Sequence, residues 1–577
     1  MAQCVPILVF VVAFLRFMAD AAVVEHTFRV GNLTVRRLCE NRVITAVNGR
    51  LPGPTIEVHE GDTLVVHLIN DSPYNLTIHW HGIFQLLSGW ADGPSMITQC
   101  PIQPRNCYAY RFNITGQEGT LWWHAHSSVL RATVYGALII RPRNGTEAFP
   151  FSKPDKEVPI LLGEWWNDDI VDMDSQAFLT GGAPGDSDAY TINGKPGDLY
   201  RCSSNQMYKL EVEQGKSYLL RIINAALSKE LFFKVAGHSF TVVAVDASYT
   251  KPYETDVVVI APGQTADALM VADAPPAASY YMAALPYIST APSPPPRPSF
   301  DNTTTRGIVR YEPAMPSAAS SRPVMPAMPS FFDNDVAHRF FTSLTGLLRP
   351  GDPTVPLHVD EHMVVTFGLG VAACEASQLL CNRSRGATAA SMNNVSFQFP
   401  TKKSLLEAHF RGEKGIYTSD FPDTPPVFFD FTNPAVNVNP ALQSLWFTTK
   451  GTKVKKVKYN AAVEMVLQNT AILGIENHPL HLHGFNFFVL AQGFGNYNAT
   501  SAVKSYNLAD PPARNTIAVP TGGWAVIRFT ANNPGVWIMH CHLDAHLSSG
   551  LAMAFEVENG STPETTLPPP PPDYPRC

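Results

Sequence analysis

The sequence predicts an all-β protein made of three β-sandwich domains in one chain. Three observations carry that prediction. Apolar runs are short and alternate with polar residues, they are bounded by Gly, Pro, Asn and Asp, and one strand pattern recurs along the chain. The recurring pattern is Gly61-Asp-Thr-Leu-Val-Val-His-Leu-Ile-Asn70. It returns as Gly215-Lys-Ser-Tyr-Leu-Leu-Arg-Ile-Ile-Asn224 and, more loosely, as Asn460-Ala-Ala-Val-Glu-Met-Val-Leu-Gln-Asn469. A second pattern sets glycine five residues before a His-x-His strand, at Gly119 with His124 and His126, and at Gly535 with His540 and His542. Its middle counterpart, Ser279 to Ala284, has no histidine, so metal ligands are expected in the first and third domains only.

At 577 residues and 45% hydrophobic composition the chain buries a sizeable core, and roughly 150 residues per domain gives three to four units. Its 49 prolines, well above the usual roughly 5%, favour turns and loops over helical bundles. A net charge of −7 without a basic block argues against nucleic acid or acidic lipid as partner and leaves a small molecule. The domains are placed at residues 23–150, 151–330 and 331–566, with a proline-rich tail at 567–577. The stretch Pro286 to Pro329 reads as an extended surface loop or linker, and from there to about residue 400 no element is assigned.

Residues 1–22, with the apolar run Val5 to Phe14 and the small residues Ala19-Asp20-Ala21-Ala22, read as a secretory signal peptide. It is atypical in that Arg16 follows the run and no Lys or Arg precedes it. The run is short for a membrane anchor, and no later apolar segment or hydrophobic tail suggests one. Ten Asn-x-Ser/Thr sequons, at Asn32, Asn70, Asn75, Asn113, Asn144, Asn302, Asn382, Asn394, Asn498 and Asn559, point to a secreted, N-glycosylated protein. Cysteine usage fits an oxidising compartment. Cys374 and Cys381 are close enough to close a local loop, Cys577 is placed to tie the tail back to the body, and Cys107 is expected to be left over.

The histidines carry the chemistry. If the run through His540-Cys541-His542 is extended, alternation sends the two histidines to one face and Cys541 to the other, so a single strand joins two metal sites. A thiolate with two imidazoles and a weak or absent axial ligand is the blue-copper arrangement; Cys541 and His546 supply two parts of it, and His478 is the candidate for the third. A lone His-x-His pair is more often structural. Here four such pairs occur, His79 with His81, His124 with His126, His481 with His483, and His540 with His542. Eight histidines then make a second site, which must form where the first and third domains meet.

These residues give the chain a family resemblance. With His79-Trp-His-Gly82, Trp123-His-Ala-His126, His478-Pro-Leu-His-Leu-His-Gly484 and His540-Cys-His-Leu-Asp-Ala-His546, it resembles the multicopper oxidases over nearly its whole mature length, and among them the plant laccases. The resemblance implies three cupredoxin-like, Greek-key domains and four copper ions. By motif position the type 1 ligands are His478, Cys541 and His546, with Leu551 at the non-coordinating axial position. The type 2 ligands are His79 and His481, and the type 3 ligands His81, His124, His126, His483, His540 and His542.

Asp92 resembles the aspartate that laccases place beside the cluster as a proton source, although Asp-Gly is equally an ordinary turn pair. Asp544 is left between a ligand-orienting role and a turn. His358 and His362 lack the glutamate of a zincin motif and read as structural or surface residues.

The implied activity is one-electron oxidation of phenols such as monolignols or hydroquinones, coupled to four-electron reduction of O2 to water, by a monomer working in lignin polymerisation or degradation in the apoplast. Two alternatives remain at this stage. One is an ascorbate or ferrous-iron oxidase, against which stand Leu551, where an ascorbate oxidase would be expected to carry methionine, and the lack of an evident acidic cluster near His478 or His546. The other is a non-catalytic cupredoxin-repeat protein of the cell wall, which would have no need of all eleven ligand positions.

Overall fold

The computed structural model describes residues 21–276, 278–288, 301–312, 322–433, 440–473 and 476–577, so the expected signal peptide lies almost wholly outside the described residues. The strands form six sheets, two to each sandwich: two of four strands in the first, six and five strands in the second, eight and five in the third. Each sandwich encloses its own apolar core.

The repeated strand holds the same place in all three. Thr63–Asn70 runs parallel to Val23–Arg37, Ser217–Asn224 to Lys156–Trp165, and Ala462–Asn469 to Glu361–Ala372. The asparagine that closes each copy is fully buried. A buried amide needs partners, and each of these ties the strand end to two loops. Asn70 donates to the carbonyls of Tyr74 and Ile102 at 2.8 and 2.9 Å, Asn224 to Lys229 and Ile260 at 3.2 and 2.8 Å, and Asn469 to Glu476 and Pro520 at 2.8 and 3.1 Å.

The structure differs from the sequence reading in one respect and fills a gap in another. Pro286 to Pro329 is not a single loop: strand Ser279–Tyr287 runs past Pro286, and Thr305–Glu312 pairs antiparallel with it. The alternation Thr-Arg-Gly-Ile-Val-Arg-Tyr-Glu is a strand signal hidden between proline-rich flanks, of which residues 289–300 and 313–321 lie outside the described residues. Helix Asn334–Ser343 then packs Ala337 and Phe340 into the second-domain core. Further on, the previously unassigned Glu361–Ala372 is a strand of the third sandwich. Its pattern is broken by Gly368 and Gly370, where a Cβ would meet Thr470 and the Trp446 carbonyl.

The first domain packs on the third through Trp90, Ile97, Leu405, Leu406, Val536 and Ile538. The C-terminal tail reinforces this contact through the Cys100–Cys577 disulfide, with the Trp90 indole donating to the Pro568 carbonyl at 2.8 Å and the Tyr574 hydroxyl to that of Thr98 at 2.8 Å. The first domain meets the second through Trp122, Tyr135, Leu161 and Ile223, through the Cys39–Cys202 disulfide, and through Arg221, which is buried between Asp267 at 2.9 Å and the Thr120 hydroxyl at 2.8 Å. Cys374 and Cys381 close their local loop, and Cys107 is free and exposed.

Glu230 sits where the second and third domains meet, buried, with Oε1 lacking a hydrogen-bond partner among the described residues. Burial pushes its pKa up to about 8, with the Asn477 side chain opposing. The unfolded value is near 4.3, so the folded state holds this proton more tightly. The associated stability is full at pH values below that and is lost as pH rises through about 8. Glu230→Gln is expected to remove this loss. Thermal unfolding should show the variant more stable than wild type at pH 8, by on the order of a few kcal/mol, and little different at pH 4.

Candidate metal centres

Strand pairing brings the histidines into register. Ile78–His81 lies antiparallel to Gly119–Ala125 with His79 opposite His124, and His478–Leu482 lies antiparallel to Gly535–Cys541 with His481 opposite His540. The two strand pairs face each other across the junction of the first and third domains, and their imidazoles converge in three groups. His81 Nδ1 lies 3.5 Å from His124 Nε2 and 3.2 Å from His542 Nε2. His540 Nε2 lies 3.3 Å from His126 Nε2 and 3.2 Å from His483 Nε2. His79 and His481 gather with His483, and their own Nε2 atoms are buried with no hydrogen-bond partner among the described residues. Orphaned ring nitrogens aimed into one space have the donor chemistry of a copper cluster.

Most of the rings are fixed by their outer nitrogens. His79 Nδ1 donates to the Asp92 carbonyl at 2.8 Å, His124 to that of Ala125 at 2.8 Å, His540 to that of Cys541 at 2.8 Å, and His481 to that of Asn515 at 2.9 Å. His81 Nε2 faces Asn515 Oδ1 at 3.1 Å, and His483 Nδ1 donates to the Asp92 carboxylate at 2.9 Å. Such partners set tautomer and ring orientation. Burial, and after it the neighbouring charges, hold His81, His124, His126, His481, His483 and His542 well below the ordinary histidine range, and burial takes His540 to about 3. The rings are therefore neutral, the form that binds metal.

Cys541 points the other way. Its sulfur packs into the third-domain core, 3.5 Å from His478 Nδ1 and 3.6 Å from His546 Nδ1, and those two nitrogens are 3.2 Å apart. The Leu551 carbonyl accepts from the Cys541 N–H at 3.0 Å, and Leu551 is fully buried in the same core.

Asp92 is both a turn residue and a partner of the imidazoles. It is fully buried, its carbonyl holding His79 and its carboxylate holding His483. The glycine after it, Gly93, has φ 100°, and a Cβ there would strike the Ile78 carbonyl.

Two residues escaped the sequence reading. Glu476 accepts from His546 Nε2 at 2.9 Å, a single carboxylate rather than an acidic cluster; its one signal is its place two residues before His478. Against burial, which lowers it, Glu476 and the Cys541 sulfur push His546 up to about 10. Arg131, fully within the fold, donates to the His542 carbonyl at 2.9 Å, rests against the His542 ring and pairs with Asp544 at 3.7 Å. Burial raises Asp544 to about 6, Arg131 opposing. Both line a cleft of about 520 Å³ that reaches His124, His126 and His540. His358 and His362 lie exposed beside Asp360 and Glu464, far from any such grouping in chain terms and in burial.

Family profiles described as multicopper oxidase match residues 29–145, 156–314 and 420–561. The chain is 60% identical to Laccase-25 of Oryza sativa subsp. japonica over 572 residues, covering 98% of each protein. It is 61% identical to Laccase-7 of Arabidopsis thaliana over 559 residues, covering 97% of this chain and 96% of the relative. Among solved structures, the laccase from Botrytis aclada is similar at 27% identity and a TM-score of 0.69, covering 96% of this chain and 90% of that one. The chain belongs to the multicopper oxidase family.

Proposed function

We propose that the protein is a secreted laccase that draws single electrons from phenols beside His546 and passes them through Cys541 to dioxygen among the eight histidines. The observation that carries this reading is the end of the strand Gly535–Cys541, where the Cys541 sulfur lies among His478 and His546 while the imidazoles of His540 and of the next residue, His542, lie in the other site. Identity near 60% to plant laccases supports the same reading over the other oxidases.

His478, Cys541 and His546 would hold the type 1 copper, and Leu551, buried in the same core, offers no further donor, which would favour a high potential. His79 and His481 would hold the type 2 ion, and His81, His124, His126, His483, His540 and His542 the type 3 pair. The four copper ions supply one-electron chemistry at the first site and, at the second, the capacity to give dioxygen four electrons in one place. The residues do the rest. His546 is the ligand with most access to solvent, at 9% exposure, and Glu476 fixes its ring edge, so a phenol docking there meets a fixed acceptor. The backbone of Cys541 gives electrons a covalent route to both neighbours. Asp92 orients His79 and His483 and is a buried carboxyl in direct contact with two of the eight rings, placed to pass on protons. Four phenols thus yield four radicals, while one dioxygen takes up four electrons and four protons to give two waters.

Monolignols are the proposed natural donors, with lignin assembly or breakdown in the apoplast as the setting and a monomer as the working form. The signal sequence, the sequons and the negative charge support that setting.

Cys541→Ser is expected to abolish the blue absorption and phenol oxidation together, read from a visible spectrum and oxygen uptake. Asp92→Ala should leave the blue band intact and lower oxygen uptake about 10- to 100-fold, as loss of a ligand's hydrogen-bond partner does elsewhere; an unchanged rate would remove Asp92 from the site. Oxygen uptake measured in parallel with a methoxyphenol, ascorbate and ferrous iron should favour the phenol. Preference for ascorbate or iron would overturn the substrate assignment, and no uptake by the copper-loaded protein would point to the binding protein instead.

A further inference from the structure

Two sequons stand five residues apart, Asn70 at the end of the strand Thr63–Asn70 and Asn75 on the loop leading to Ile78–His81, and the fold treats them in opposite ways. Asn70 is fully buried; its amide nitrogen serves the Tyr74 and Ile102 carbonyls, and its oxygen accepts from the Ser72 N–H at 3.0 Å and hydroxyl at 2.7 Å. A sugar on that nitrogen would break the strand-end anchor found in all three domains. Asn75 is exposed, and it lines the cleft of about 520 Å³ whose inner wall includes His124, His126 and His540.

That cleft is large and apolar enough to raise a problem. Met96, Pro101, Leu130, Val171, Phe399 and Leu547 line it, and its volume falls in the range that admits a small organic ligand. A phenol therefore fits it as well as dioxygen does. A donor entering by this path would meet the imidazoles without passing Cys541.

We propose that Asn75 carries an N-linked glycan that roofs this cleft, leaving it open to dioxygen and water and closed to organic molecules. The proposal rests on the reading of the chain as a secreted protein. In the transfer, the Asn75 amide nitrogen gives up a proton to the solvent and bonds to the anomeric carbon of a lipid-linked oligosaccharide, while the carbon–oxygen bond to the lipid diphosphate breaks and the diphosphate leaves with the electron pair. Order of events follows from Thr77, the hydroxyl residue of the sequon. In the fold it is buried and donates to the His126 carbonyl at 3.1 Å, so the sugar must be attached before this loop closes.

Glycopeptide mapping of the secreted protein tests the assignment, with Asn75 expected to be occupied and Asn70 bare. The roof is tested on copper-loaded wild type, wild type trimmed by an endoglycosidase, and Asn75→Gln, by following the association of azide and of the bulkier benzoate through the absorption of the cluster. Azide is expected to associate equally fast in all three, and benzoate several-fold faster in the trimmed and substituted proteins. An unmodified Asn75, a glycan on Asn70, or benzoate rates unaffected by removing the sugar would overturn the proposal. The blue absorption and phenol oxidation of the same wild-type sample report separately on the laccase reading.

Discussion

The geometry of an extended chain is the constraint on which the rest of the molecule depends. Successive side chains of a strand face opposite ways, so His540, Cys541 and His542 cannot serve one site. The sulfur is committed to the third-domain core and the two imidazoles to the domain junction. Two centres are thereby held at a fixed separation by three consecutive residues, and neither can move without the other. This demands that everything around the strand be rigid. The fully buried Trp537 on the same strand, with its indole donating to the Asn533 carbonyl at 2.9 Å, and the flanking strands His478–Leu482 and Ala552–Val557 provide that rigidity.

The eight-histidine site exists only because two domains far apart in sequence are pressed together, and pressing them has a cost. Burial strips water from a charged imidazole and the rings repel one another when charged, and the depressed pKa values reflect both effects, burial being the larger. The neutral rings lose water too, and an acceptor for most of the outer ring nitrogens offsets that loss. The first domain is then clamped from two sides: the tail, with Cys577, Tyr574 and Pro568, reaches it from the third domain, and Arg221 reaches it from the second. Arg221 is fully buried, so its partners Asp267 and Glu157 are required rather than optional, since removing either would leave charge uncompensated in the interior.

Much of this was legible in the sequence because it rests on local periodicity. The His-x-His pairs, the cysteine between two of them and the thrice-repeated strand ending in asparagine are read directly from spacing, and the structure places them together as spacing suggests. What was missed depends on contacts across the fold. Thr305–Glu312 alternates as a strand should, but proline-rich flanks mask it until Ser279–Tyr287 pairs with it. Glu361–Ala372 contains two glycines that look like breakers and are instead places where another backbone or side chain approaches closely. Glu476 and Arg131 belong to no local pattern; they become visible only when His546 and His542 are brought to them from elsewhere.

The middle domain shows why a segment without ligands is still part of the site. Gly263 sits so close to the cluster that a Cβ would lie 3.0 Å from the His542 ring and 3.1 Å from that of His81, and its φ of 94° suits glycine in any case. Its carbonyl accepts from the Trp122 indole at 3.2 Å, and Gln264 beside it donates to the Thr516 carbonyl at 3.0 Å. From the same domain, fully buried Asp246 pairs with Arg514 at 3.0 Å and accepts from the N–H groups of Asn515 and Thr516. Asn515 is the residue that holds both His81 and His481. The second domain thus acts on the imidazoles at one remove, through a carboxylate that sets the loop that sets the rings. A middle domain without such histidines therefore still acts on the site, through Asp246 and Gly263, although the converging imidazoles come from the other two domains.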